Sequence, residues 1–306
     1  MIINVILPVM LIMAAGYLFG RFTNVDQAPI SKFSMVVLSP ALIFSFLVRT
    51  NLSAVSLIQI LVATVLFTIF LAAITFVVMK ITKNKMLLNP ALLSTLFPNS
   101  GNVGLPVLLF AYGDEGFSIG VVIVVIHFVL IYSLGVYFAS MEGGNWKKGL
   151  KNVTKLPTTY ATILSLIVII FKIDVPDFLY DPIKLVGDAM VPVVLLILGI
   201  QLSKTKISSA EGLEKGKNVS SLISISVIKL LISPLLIIAI VIVGQFDPLI
   251  AKVLILQSSM PTAVLMTMIA TEYKAKPELV ASATFVTTLL SFFSITGLLY
   301  LLNYLY

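Results

Sequence analysis

The sequence has no cysteine, one histidine and one tryptophan in 306 residues. The first absence excludes disulfides, thiolate metal sites and cysteine nucleophiles, and the second excludes a multi-histidine metal centre. Charge is scarce too: 11% of residues are Asp, Glu, Lys or Arg, where a soluble domain carries about 25%. So few charges cannot coat a surface in water. No Walker A motif is present, so ATP hydrolysis within this chain is not indicated. The opening Met1-Ile2-Ile3-Asn4 has no basic leader, and the first positive charge, Arg21, follows the first apolar run. That run reads as a true span rather than a cleavable signal.

What the chain does have is apolar residues, 59% of the total, in long blocks with short polar links. About 20 helical residues cross a hydrocarbon core of roughly 30 Å. The expected fold is an all-α integral membrane protein with ten transmembrane helices. The first five are Ile2–Gly20, Ser31–Val48, Val55–Met79, Pro90–Tyr112 and Gly116–Ser140. The second five are Pro157–Lys172, Pro182–Leu202, Val219–Gly244, Pro248–Thr271 and Pro277–Tyr304, the sixth span being short.

Loop charge tests that segmentation independently. Odd-numbered loops hold fourteen basic residues: Arg21; Lys80, Lys83, Lys85; Lys147, Lys148, Lys151, Lys155; Lys204, Lys206, Lys215, Lys217; Lys274 and Lys276. Even-numbered loops hold Arg49 and Lys172, beside acids such as Asp114, Glu115, Asp174, Asp177, Asp181 and Asp247. The positive-inside rule then puts both termini outside the cell membrane. The formal charge of +7 is thereby a loop asymmetry and not a sign of nucleic acid.

Halving the chain exposes matched features. Lys32 precedes Pro40 by eight residues, as Lys184 precedes Pro192; Asn89-Pro90 opens the fourth span and Asp247-Pro248 the ninth. Both of these spans carry a polar, proline-containing interruption. Five helices per half, an odd number, gives two inverted repeats: residues 1–141, a cytoplasmic link 142–156, and residues 157–306. Matched breaks in inverted repeats point to a transporter's binding site.

In the fourth span the interruption is Pro98-Asn99-Ser100-Gly101-Asn102 with Gly104 and Pro106; in the ninth it is Gln257-Ser258-Ser259 with Pro261-Thr262. Prolines remove amide donors and glycines disfavour a continuous helix. Unmet backbone at this depth is tolerated only against protein or a wet cavity, and half-helix N-termini suit a carboxylate. Asn99, Ser100, Asn102, Ser258, Ser259 and Thr262 are therefore candidate solute contacts. The alternative is that Asn99 and Asn102 only satisfy the broken backbone. Lys229 lies ten residues into the eighth span, roughly 15 Å deep, and needs an acidic partner or an anionic solute. Asp188 is either an ion-coupling group or a partner of Lys184 one turn away. His127 is either a proton relay or a buried imidazole satisfied by a neighbouring helix. Gly113-Asp114-Glu115-Gly116 reads as an external loop. No metal site and no cofactor are expected, and sodium or proton coupling stays open.

At these residues the sequence resembles the auxin efflux carrier family, which includes plant auxin exporters and bacterial permeases for malate and related acids. The resemblance rests on Pro98-Asn99-Ser100, Gly104-Leu105-Pro106, Ala111-Tyr112-Gly113, Gly187-Asp188-Ala189, Leu198-Gly199, and Lys229-Leu230 with Pro234. Met260-Pro261, Ala270-Thr271-Glu272-Tyr273 and Pro277 extend it. It implies a scaffold of helices 1, 2, 6 and 7 and a transport domain of helices 3–5 and 8–10. Their broken helices would cross at Pro106 and Pro261, with elevator-type movement and a homodimer through the scaffold. Asn99 matches the family's substrate-contacting asparagine. The short link Met141–Leu156 replaces the long hydrophilic loop of plant exporters. Gly101 and Asn102 stand where the plant motif is more apolar, which fits a smaller, more polar acid such as malate or malonate. The rivals are a sodium- or proton-coupled antiporter, disfavoured because both interruptions lack carboxylates, and a membrane enzyme or non-transporting sensor. An enzyme would need converging nucleophiles, acids or metal ligands, and one histidine with no cysteine offers little.

Overall fold

A computed structural model describes residues 2–23, 25–49, 52–84, 87–140, 157–204 and 217–305. Lys85, Lys147, Lys148, Lys151, Lys155, Lys206 and Lys215 of the loop argument, and the link Met141–Leu156, lie outside the described residues. The helices are α1 (Ile2–Phe22), α2 (Gln27–Phe33), α3 (Ser39–Val48), α4 (Ala54–Ile81), α5 (Leu88–Leu96), α6 (Leu105–Leu130) and α7 (Val136–Ser140). After the link come α8 (Pro157–Ile170), α9 (Asp177–Asp188), α10 (Met190–Lys204), α11 (Lys217–Val227), α12 (Ser233–Gly244), α13 (Pro248–Ser258), α14 (Val264–Glu272) and α15 (Pro277–Leu305). Wider π turns join several of them, at Ser34–Leu38, Ser100–Gly104, Ile131–Gly135 and Ile228–Ile232.

Among the described residues, seven helical stretches are long and apolar enough to cross a membrane, and α8 and α13 are shorter apolar helices. The fourth and ninth spans are each split at their prolines, as the polar interruptions in the sequence led one to expect. The external loop expected at Gly113–Gly116 does not form. Gly113 alone, at φ 62° and ψ −160°, breaks an otherwise helical path, and Asp114 and Glu115 lie inside α6. A left-handed φ of that kind is open to glycine without a Cβ penalty, so one residue does the work of a loop. Helical backbone satisfies itself, and the hydroxyls of α4 follow suit. Thr64, Thr68 and Thr75 each donate to the carbonyl four residues back, at 2.8 Å, which removes their polar cost in an apolar surrounding.

Packing divides the chain into two compact units. The first gathers the described residues of Met1–Ser53, Gly101–Val125 and Lys151–Thr205; the second gathers those of Ala54–Ser100, Ile126–Leu150 and Lys206–Tyr306. In the first, α1 lies along α10, and α3 packs on α8 and α9. A Cβ on Gly16 would strike the Leu196 carbonyl, and one on Gly199 the Met13 carbonyl. The two helices therefore approach backbone to backbone, the small-residue packing of membrane helices. Arg49 bridges to Asp177 at 3.2 Å and lies 4.2 Å over the Tyr180 ring, while the Tyr180 hydroxyl donates to the Ser45 carbonyl. In the second unit α4 packs on α5 and α12, and α15 on α5, α11 and α14. Met79, Leu87, Ala91, Ile225, Leu279 and Ala283 form a buried apolar cluster there.

Candidate functional site at two broken helices

Helix α5 stops at Leu96 because Phe97 is extended (φ −107°, ψ 101°), the conformation favoured for a residue preceding proline. Helix α13 stops at Ser258, and Pro261 supplies no donor to continue it. The two extended pieces pair with each other. Pro98 and Thr262 form an isolated antiparallel bridge, with the Asn99 amide donating to the Pro261 carbonyl at 2.7 Å and the Ala263 amide to the Phe97 carbonyl at 2.9 Å. A fragment of β-ladder thus replaces the helical bonds that both prolines remove.

Each helix also ends with carbonyls that have no intrahelical partner. On α5 the Thr262 hydroxyl donates to the Ser94 carbonyl at 2.6 Å, and the Lys229 ammonium to the Thr95 carbonyl at 3.1 Å. On α13 the Ser233 hydroxyl donates to the Ser258 carbonyl at 2.9 Å. Lys229 lies on the π turn Ile228–Ile232 and Ser233 begins α12. One stretch of chain, through two side chains four residues apart, therefore holds the cut ends of both broken helices. The Thr262 amide is taken by the Thr287 hydroxyl at 3.2 Å, so α15 braces the same point.

Around this frame, several buried polar atoms have no partner among the described residues: Nδ2 of Asn99, Nε2 of His127, and both amide atoms of Gln257. Such groups are costly unless something hydrogen-bonds them. The other face of His127 is engaged, Nδ1 lying 3.0 Å from the Ser100 hydroxyl. All four residues are nearly or wholly excluded from solvent, and all belong to the second unit.

Of the residues singled out from sequence, the structure brings Pro98, Asn99, Ser100, Pro261 and Thr262 together, with His127 joined through Ser100 and Lys229 through Thr95. The Ser259 hydroxyl turns back to the Ile255 carbonyl at 2.6 Å, and Ser258 takes part through its carbonyl. Gly101, Asn102 and Gly104 shape the π turn Ser100–Gly104, and Asn102 is half-buried. The pairing forms at Pro98 and not at Pro106. Pro106 is the second residue of α6, within the first turn, where no helical partner for its missing amide is needed. Asp188 belongs to the first unit, half-exposed and bonded to Lys184 at 2.6 Å. Gln257 was visible in the second interruption, but nothing in sequence showed that its amide would be left unpaired. Ser233 was signalled only by its i+4 spacing from Lys229. Among the described residues no group of three His, Asp or Glu could hold a metal ion, and no Asp or Glu is buried.

Apolar helices interrupted by paired, polar breaks define the class of membrane carriers. Residues 1–156 and 145–299 match the profile of the family described as membrane transport protein, the auxin efflux carrier family, and the chain belongs to it. It is a multi-pass membrane protein of a transporter family. It is 26% identical over 302 residues to an uncharacterized transporter of Methanocaldococcus jannaschii, covering 94% of each chain. A similar protein in Methanothermobacter thermautotrophicus, also an uncharacterized transporter, is 25% identical over 299 residues and 95% of each chain. A 130-residue stretch is 36% identical to Protein PIN-LIKES 2 of Arabidopsis thaliana, covering 37% of this chain and 27% of that protein.

Proposed function

We propose that this chain is a secondary or facilitated carrier of small organic anions, carboxylates of the malate or malonate kind, and performs no enzymatic reaction. The observation that carries the reading is the set of buried, unpaired polar atoms on Asn99, His127 and Gln257 at the paired breaks. Donors left unmet in a dry interior are the groups a solute's oxygens would satisfy. The first turn of α14, entered from Ala263, adds the partial positive charge of a helix start. The fully buried Lys229 supplies a positive field to the same unit. A cation antiporter would need an ionisable carboxylate in the interior, and none is buried among the described residues.

In this reading the two halves are inverted five-helix repeats, and the carrier works by an elevator-type movement. Helices equivalent to spans 1, 2, 6 and 7 act as scaffold and as the homodimer contact; spans 3–5 and 8–10 carry the solute. The protein sits in the cell membrane with both termini outside. Uptake of labelled malate, malonate and related acids into proteoliposomes tests the proposal. Wild type should carry at least one of them, and Asn99→Ala should lower that uptake about tenfold or more, the loss of a hydrogen bond to a charged solute. Unchanged uptake in N99A would remove Asn99 from the site, and no uptake of any acid by wild type would reject the anion reading.

A further inference from the structure

Carriers built on broken helices commonly hold their coupling sodium ion against unwound carbonyls and the C-terminal ends of half-helices, where the helix dipole is negative. Helix α5 presents such an end. Its last carbonyls are directed out of the helix, and Thr95 also carries a hydroxyl 3.0 Å from that of Thr75, so neutral oxygens gather there. A side-chain amine already occupies that end: the Lys229 Nζ donates to the Thr95 carbonyl at 3.1 Å. Lys229 is 0% exposed, and no carboxylate lies within ion-pair distance of it among the described residues. Burying an ammonium without an acid is costly, and the helix end is its visible counter-charge. The matching end on α13 is met by the neutral Ser233 hydroxyl, four residues along the same stretch of chain. The positive charge is therefore placed at one break and withheld from the other.

We propose that Lys229 is this carrier's resident cation: it fills, at the C-terminal end of α5, the place a coupling sodium ion would take, so that transport needs no sodium. The proposal rests on the carrier reading above but not on the identity of the solute. The surrounding oxygens are the hard, neutral donors a monovalent ion accepts. No buried carboxylate competes to draw a second cation in.

The experiment has a solute-free arm and a transport arm. Purified wild type and Lys229→Ala are melted in sodium chloride and in choline chloride at equal ionic strength, with no organic anion present. Wild type is expected to melt at the same temperature in both salts. K229A is expected to gain a melting temperature that rises with sodium concentration, as a ligand that binds only the folded state requires. In proteoliposomes, wild-type carboxylate uptake should be equal in the two salts. K229A uptake should fall about tenfold in choline, the loss of one charge-assisted contact, and recover in sodium. Lys229→Met, which keeps the length of the side chain, serves in the same way if K229A does not purify. A sodium-dependent rise in wild-type melting or uptake would overturn the proposal, as would variants indifferent to sodium. Failure of wild type to carry any carboxylate would count against the anion reading alone, since the melting arm contains no solute.

Discussion

The two broken helices of the second unit end in different ways. Helix α13 closes largely on its own chain: the Ser259 amide reaches the Ile255 and Leu256 carbonyls, the Met260 amide reaches Gln257, and only Ser258 is served from elsewhere, by Ser233. Helix α5 depends on residues far along the chain. Its Ser94 carbonyl waits for Thr262, its Thr95 carbonyl for Lys229, and Phe97 for the Ala263 amide. The end of α13 is closed mostly by its own neighbours, while the end of α5 is assembled from the second half of the protein. A break that others complete is one whose electrostatics a single side chain can set, and Asn99 and Ser100 sit immediately beyond it.

That contrast can be broken by mutation. The largest stability effect is expected at Thr262, where Thr262→Val keeps the shape but strips the hydroxyl from the Ser94 carbonyl. Membrane hydrogen bonds of this kind average about 0.6 kcal/mol and reach about 1.7, and T262V should lie near the upper figure in reversible unfolding. Ser233→Ala should cost about 0.6 kcal/mol, because the rest of the α13 end stays satisfied. A larger loss for S233A than for T262V would contradict the difference between the breaks. The smallest effect is expected for His127→Gln, which can keep a partner for the Ser100 hydroxyl: unfolding should shift less than in S233A, while carboxylate uptake falls. Unchanged uptake would take the His127 ring out of the solute's reach.

Much of this was legible in the sequence where the signal is local. The eighth span was read as Val219–Gly244, and a continuous helical stretch over those residues is apolar enough to cross a membrane. The tenth was read from Pro277, where α15 begins. Prolines 98 and 261 marked both breaks for the same reason: a missing amide is a property of one residue. What pairs with what was not legible. The Phe97–Ala263 and Ser94–Thr262 bonds join residues more than 160 positions apart, and a composition pattern carries no such information. A break between the fourth and fifth spans was legible at Gly113–Gly116, but not that Gly113 alone would make it, because Asp114 and Glu115 look like loop residues although acids are also favourable at a helix start. Lys229 was read as needing an acid or an anion. The helix end supplied the negative pole instead, and a backbone carbonyl leaves no mark on the sequence.

The central claim is that the paired breaks bind a small carboxylate through Asn99. Thermal unfolding of the purified protein against a series of small mono- and dicarboxylates tests it most directly. The account predicts that at least one acid raises the melting temperature of wild type in a concentration-dependent manner, and that Asn99→Ala abolishes the rise while melting normally without ligand. A wild type indifferent to every acid, or an N99A protein that responds as wild type does, would contradict it.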